Sequence, residues 1–276
     1  MNKLKTAADL ENIIKSRSKK DNKPCIVIAT GTCGIARGAD KVVTAIKKGL
    51  KQHDLESKID IKITGCHGFC EIEPYLSILP EEIFYVKVQP NDVKEIISKT
   101  VMEKKIIDRL LYTNPYTNKK IIKEKDIPFY KKQTRNILAN NALVDPQNIN
   151  DYFGIGGYSS LPKIFTSMTP EKVIEKVKQS GIRGRGGAGF PTGFKWGFCR
   201  KAKGDTKYII CNADEGDPGA YMDRGLLEGN PHSILEGMII GAYAIGANEG
   251  FVYIRDEYPI AVKTIKNAIK QSRQYG

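Results

Sequence analysis

Short strand-like runs alternate along this chain with helix-like periodicities, and that alternation limits the possible folds more than any other feature. CIVIAT (Cys25 to Thr30) is a β-rich run that ends at the turn Gly31-Thr32. A helical pattern follows, with Val42, Val43, Ile46 and Leu50 on one face. Ile59, Ile61 and Ile63 then alternate with Lys58, Asp60 and Lys62, the period of a half-buried strand. Two further strands are predicted at 75–79 and 83–88, and Pro90-Asn91-Asp92 opens a helix carrying Val93, Ile96 and Ile97. Thr169-Pro170-Glu171 supplies an N-cap, a first-turn proline and a first-turn acid for a helix that stops at Gly181. A glycine-rich loop (181–193), a strand at 207–211, a helix from about 231 to 247, a strand at 251–254 and a helix at 259–273 complete the series. The pattern predicts the α/β class. It divides as a first domain at 1–102, a Lys-rich connector with little periodicity at 103–150, and a second α/β domain at 151–276.

Composition narrows the function classes. With 41% hydrophobic and 27% charged residues over 276 positions, this is an ordinary globular composition with room for a sizeable core. No apolar run reaches the roughly 18 residues that cross a bilayer. The longest candidate, Ile234 to Ala247, is interrupted by Glu236. The N-terminus lacks the apolar stretch of a secretory signal. No membrane span and a cytoplasmic location are expected. The net charge of +13 is spread in short clusters such as Lys104-Lys105 and Lys131-Lys132, which reads as a lysine-rich solvated surface and not as a nucleic-acid site.

Six cysteines are too few for a disulfide scaffold, so grouped ones are considered first as metal or redox groups. Cys66-His67-Gly68-Phe69-Cys70 sits in the loop after one strand, and Cys33 in the loop after another. If the two strands are parallel neighbours, both loops fall at the same end of the sheet and three thiolates converge. A [2Fe–2S] cluster needs four ligands. Cys25 starts its strand, about 16 Å of extended chain from the loop, and is read as a buried core thiol. Thr30, Thr32 and His67 are further candidates, and residue type does not choose among them. Free thiols, or a dithiol redox site at Cys66 and Cys70, are the competing readings.

Two loops mark the second domain. In the first, Gly184, Gly186 and Gly189 form G-x-G-x-x-G, but the motif follows a helix where the dinucleotide fingerprint follows a strand. Its glycines still allow backbone N–H groups to approach a phosphate or a flat ring, with Arg183, Arg185 and Lys195 adding positive charge. The second loop, Asn212-Ala213-Asp214-Glu215-Gly216-Asp217-Pro218-Gly219, follows a strand directly, where α/β sheets place ligands. The same residue types also suit an acidic turn.

Gly31-Thr32-Cys33-Gly34-Ile35-Ala36 with Thr64-Gly65-Cys66-x-Gly68-x-Cys70 resembles the thioredoxin-like [2Fe–2S] ferredoxin domain. That domain opens the diaphorase subunit of electron-bifurcating and NAD(P)-linked hydrogenases and is similar to the 24 kDa-type subunit of respiratory complex I. The family pattern pairs the equivalent of Cys33 with an earlier cysteine in a C-x4-C spacing, and Ile28 stands there in this chain. GIRGRGGAGFPTGFKW and CNADEGDPGAYMDR, followed by LLEGNPHSILEGM and FVYIRDEYP, resemble the FMN- and NADH-binding domain of the complex I 51 kDa-type subunit.

The resemblance implies a Rossmann-like second domain and three cofactors: FMN, NAD(H) and a [2Fe–2S] cluster held by Cys33, Cys66 and Cys70. It implies that Gly184, Arg185, Gly186 and Lys195 contact FMN, with Asn212, Asp214 and Glu215 on its other side and Asp256 and Glu257 nearby. Gly187, Ala188, Phe190 and Phe198 would cradle NADH, and Glu215 and Tyr253 would position it. Asp217 stands where complex I subunits have Glu. The implied activity is electron transfer between NAD(H), FMN and iron–sulfur clusters, with no side chain as acid or base. The implied partners are the other subunits of an electron-bifurcating hydrogenase or related dehydrogenase complex, including a catalytic iron–sulfur subunit. In the family the flavin subunit runs on into a [4Fe–4S] domain with C-x-x-C-x-x-C. That pattern is absent from this sequence, so the chain is expected to be the N-terminal part of a longer subunit or one piece of a split one. A non-catalytic assembly fragment is the alternative.

Overall fold

A computed structural model describes residues 3–18 and 23–276. The first part of the chain forms α1 (Ala7–Arg17), β1 (Cys25–Ala29), α2 (Thr32–Ala36), α3 (Ala39–Gln52), β2 (Asp60–Thr64), β3 (Leu76–Leu79) and β4 (Ile83–Tyr85). There follow α4 (Val93–Glu95), which a π-helical turn extends over Ile96–Met102, then β5 (Tyr112–Thr113), β6 (Lys120–Ile121) and α5 (Pro128–Lys131). The last part forms α6 (Ile149–Gly154), α7 (Ser160–Ser167), α8 (Pro170–Gln179), α9 (Thr192–Lys201), β7 (Tyr208–Ala213) and α10 (Met222–Gly229). It closes with α11 (Pro231–Ile245), β8 (Glu249–Ile254) and α12 (Pro259–Tyr275). The chain is α/β and divides into two compact units.

One unit is built on the sheet β2-β1-β3-β4 and comprises residues 20–146 with Glu228–Asn230. β1 runs parallel to β2 and antiparallel to β3, and β4 pairs antiparallel with β3. The sheet is therefore mixed, parallel on one side of β1 and antiparallel on the other. β1 is central, and its Ile26 and Ile28 are fully apolar and buried because both faces are covered. α3 lays Val42, Ile46 and Leu50 against them, the stripe that the helical period predicted. The parallel register runs from Cys25↔Asp60 to Ala29↔Thr64, so the loops that follow β1 and β2 leave the sheet at the same end.

Residues 103–146 are not a separate connector, contrary to expectation. Ile107, Leu110 and Leu111 join the core under α3, and Ile127 and Tyr130 pack with Tyr75 and Phe84 in a second cluster. Their apolar residues are spaced irregularly because the segment is built of 3-10 turns, a short β-hairpin and one helical turn, so no period announced their burial.

The other unit comprises the described residues of 1–19, Gln147–Leu227 and Pro231–Gly276. α1 therefore lies outside the unit to which its sequence position assigned it. A capping box starts it: Asp9 N–H donates to Thr6 Oγ1 at 3.2 Å, and Thr6 N–H donates to Asp9 Oδ2 at 2.9 Å. Its Ile14 packs with Ile149, Tyr152, Phe153 and Leu161 of α6 and α7. β7 and β8 pair in parallel from Tyr208↔Glu249 to Ala213↔Ile254. The inner face of this pair lies against α10, α11 and α12 through Ala213, Leu227, Leu235, Ala261 and Ile265. On the outer face, Tyr208, Ile210, Phe251 and Tyr253 are exposed.

Candidate functional site

Each unit carries one group of chemically capable residues. In the β2-β1-β3-β4 unit they sit where the loops after β1 and β2 leave the sheet. Gly31 lets the first loop come close: a Cβ there would lie 3.1 Å from Cys66 Cβ. The second loop turns through Gly68, whose φ of +92° suits glycine, and whose N–H donates to Cys66 Sγ at 3.2 Å. A single 3-10 turn, Cys70–Ile72, follows. Side chains three residues apart eclipse in such a turn, so Cys70 and Glu73 share one side. The ligand atoms of Cys66, Cys70 and Glu73 all lie within 4.8 Å of one another. Glu73 is 2% exposed, and the Cys66 thiol donates to its Oε1 at 3.3 Å. Burial, followed by the negative charge of Glu73, pushes the Cys66 thiol well above its ordinary range.

This group differs from the expected set. Cys33 stands in the first turn of α2 and is outside the 4.8 Å group, and Glu73 is inside it. The iron pair of a [2Fe–2S] cluster is held by separate ligand pairs, so Cys33 need not lie as close to Cys66 and Cys70 as they do to each other. Thiolates and a carboxylate are anionic donors that fit iron, so the donor set suits the expected group. Two of the other candidates, His67 and Thr32, are engaged elsewhere. His67 is buried, its Nδ1 is 2.6 Å from Glu124 Oε1 and its Nε2 is 3.4 Å from Thr64 Oγ1. The Thr32 hydroxyl donates to Glu228 Oε1 and its N–H to Glu228 Oε2 at 2.9 Å, within the same unit. Glu73 was legible only as the residue one 3-10 turn beyond Cys70, a signal that needs the turn to be known.

In the other unit the glycine-rich loop is a closed lariat between α8 and α9. Gly184 N–H donates to Phe190 O at 2.9 Å, Thr192 N–H to Ile182 O at 3.0 Å, and Arg183 Nη1 to Gly189 O at 3.0 Å. Gly187 and Gly189 have φ of +93° and +61°, which lets the tip double back. Nothing lies within 4 Å of a Cβ placed on Gly186, Gly187 or Gly189, so the loop presents open backbone. Arg185, Ala188, Phe190, Lys195 and Phe198 are exposed on the loop and on α9. Cationic side chains, open backbone and exposed rings fit a phosphate-bearing, flat-ringed ligand such as FMN.

The acidic loop leaves β7 at the carboxyl end of the parallel pair. The register Asn212↔Tyr253 and Ala213↔Ile254 puts the turn at 255–257 beside it. Asn212, Asp214, Asp217, Tyr253 and Asp256 are exposed there. Glu215 has a different occupation from the one expected. Its carboxylate accepts from the N–H groups of Met222 at 2.8 Å, Asp223 at 3.0 Å and Arg224 at 3.3 Å, and from Tyr258 OH at 3.2 Å. It is the anionic cap of α10. Its charge, after burial, raises the Asp223 carboxyl above the usual range. Glu257 is clamped by Arg255 in a two-pronged pair at 2.8 and 3.0 Å, which lowers its carboxyl to about 2. Arg255 also donates to Glu215 O, so the pair ties the two turns together. Arg255 was missed by sequence reading, although R-x-E on a turn is its local signal.

Residues 177–276 match the family of the Nuo51 FMN-binding domain. The chain is similar to the NADP-reducing hydrogenase subunit HndC of Solidesulfovibrio fructosivorans, with 57% identity over 146 residues, 53% of this chain and 29% of that one. It is similar to the NAD-reducing hydrogenase HoxS subunit alpha of Cupriavidus necator, with 33% identity over 213 residues, 77% of this chain and 33% of that one. A solved thioredoxin-like [2Fe-2S] ferredoxin from Aquifex aeolicus aligns with 33% of this chain and 90% of its own, at 22% identity and a TM-score of 0.31. The chain spans about a third of the length of the curated relatives it matches.

Proposed function

We propose that this chain, whose residues 177–276 belong to the Nuo51 FMN-binding domain family, is the flavin- and NADH-binding part of an oxidoreductase subunit that also holds an iron–sulfur cluster. The observation that carries the reading is the pair of loops in the second unit: an open glycine lariat flanked by Arg185 and Lys195, and an acidic turn at the carboxyl ends of two parallel strands. FMN, when bound, supplies the chemistry, since a flavin accepts a hydride from NADH and gives up its electrons singly.

The residues of this chain bind and orient. Gly184, Gly186, Gly187 and Ala188 offer the backbone on which a phosphate or a ring edge can rest, and Arg185 and Lys195 offset negative charge on the ligand. Asn212 and Asp214 offer hydrogen-bonding groups at the end of β7, with Asp217 and Asp256 beside them. Glu215 and Glu257 act one step back: the first fixes the start of α10, and the second fixes Arg255 across the acidic turn. Phe190, Phe198 and Tyr253 present exposed aromatic faces to a flat nicotinamide or adenine. The partners would be the other subunits of a hydrogenase-like or NADH-dehydrogenase-like complex, including a catalytic iron–sulfur subunit, in the cytoplasm. No helix among the described residues is long and apolar enough to cross a membrane.

Equilibrium FMN titration of the chain by fluorescence quenching tests this. Charge reversal by Arg185→Glu or Lys195→Glu, both at exposed positions, is expected to weaken FMN binding about tenfold, roughly 1.4 kcal/mol, while the melting temperature stays unchanged. Equal binding by all three proteins would assign the flavin to other residues.

A further inference from the structure

We propose that Glu73 is the fourth protein ligand of the iron–sulfur centre, completing a set with Cys33, Cys66 and Cys70. The proposal rests on the reading that this unit holds a [2Fe–2S] cluster, and it assigns the ligand for which the sequence supplies no cysteine. Four protein ligands are required, and the two loops supply three cysteines. Ile28, at the position where a fourth cysteine is expected, is wholly buried in the core of the central strand. Of the alternatives, Thr32 is bound to Glu228, and both ring nitrogens of His67 are engaged by Thr64 and Glu124.

Glu73 lies between the two cysteine loops. Its Oε1 is 3.3 Å from Cys66 Sγ, and a carboxylate oxygen of Glu73 lies within 4.8 Å of the sulfurs of both Cys66 and Cys70. Its Oε2 points the other way: a Cβ on Gly34, the residue after Cys33, would lie 3.3 Å from it. One carboxylate thus reaches toward both the Cys66–Cys70 pair and the turn that carries Cys33. The 3-10 turn Cys70–Ile72, with Glu73 as its C-cap, starts the Cys70 and Glu73 side chains from the same side of the backbone. A carboxylate also carries the same single negative charge as a thiolate, so it can replace one without changing the formal charge of the centre, which a neutral histidine would change.

Anaerobic reconstitution of the full 276-residue chain with ferrous iron and sulfide tests the assignment. Iron and acid-labile sulfide would be measured together with visible circular dichroism and electron paramagnetic resonance after dithionite reduction. The wild type is expected to take up iron and sulfide in equal amounts. Glu73→Ala is expected to lose at least about half of that iron. Glu73→Cys should retain it, with visible bands and g values shifted to those of an all-thiolate centre. Wild-type spectra and iron content in Glu73→Ala would overturn the proposal and leave the cluster reading standing. If Glu73→Ala does not fold, unshifted spectra in Glu73→Cys would overturn it equally. A wild type that takes up no sulfide would overturn the cluster reading and the proposal with it.

Discussion

His232 shows how far a single side chain can be removed from its ordinary chemistry by its surroundings. It is 2% exposed, with Nε2 3.1 Å from Gln271 Oε1 and Nδ1 2.9 Å from Tyr158 OH. An amide oxygen only accepts, so Nε2 carries the proton and Nδ1 accepts from the phenol, which is the neutral tautomer. Burial pushes the ring from 6.5 down to about 4, against the raising effect of Gln271. The folded value is depressed, so the unfolded chain binds a proton first as pH falls. The stabilising contribution of the neutral ring is complete above 6.5 and is lost between 6.5 and about 4. Chemical denaturation at pH 7 and pH 5 should therefore differ by about 2 kcal/mol more in the wild type than in His232→Gln. An equal pH dependence in the two proteins would contradict the assignment. Sequence alone shows neither Tyr158 nor Gln271 near His232, because both partners lie far away along the chain. Glu215 illustrates the same limit: its place in an acidic loop was legible, its use as the cap of α10 was not. Arg185 and Lys195, expected to add positive charge around the glycine loop, stand exposed on it and on α9.

Among elements, the two helices around the glycine lariat separate fold from ligand contact. Gly193 opens α9, and a Cβ there would meet Lys178 N at 2.6 Å and Lys178 Cα at 2.8 Å. That glycine allows α9 to lie on α8, whereas Gly186 borders open space. Gly193→Ala is expected to cost about 1–3 kcal/mol by forcing the helices apart, seen as a lower melting temperature. Gly186→Ala should leave melting unchanged and weaken FMN binding. A reversal of the two effects would mean that the motif has been read backwards. The sequence showed these glycines as one loop of thirteen positions (181–193) because a glycine motif carries no mark of which member faces a helix. β1, β2, α3, α8 and α12 were legible, each being long enough or regular enough to show its period. α2, α6, α7 and α10 span only five to eight residues. α9 carries Gly193 and Gly197, and the sequence reading placed no element between the glycine-rich loop at 181–193 and the strand at 207–211.

For the whole molecule, the α/β class and the two-part division followed from alternating periods, and the assignment of chain to each part did not. α1 belongs to the unit of α6 and α7, and residues 103–146 belong to the sheet that precedes them, because apolar partners distant in sequence decide membership. The proposed function depends on the second unit bringing a flavin and a nicotinamide together. Anaerobic addition of NADH to the chain in the presence of FMN measures that directly through the flavin absorption bands. Bleaching faster than for free FMN at the same concentration, and slowed when Gly186 is replaced by Val, is the predicted result; bleaching no faster than for free FMN would contradict the account.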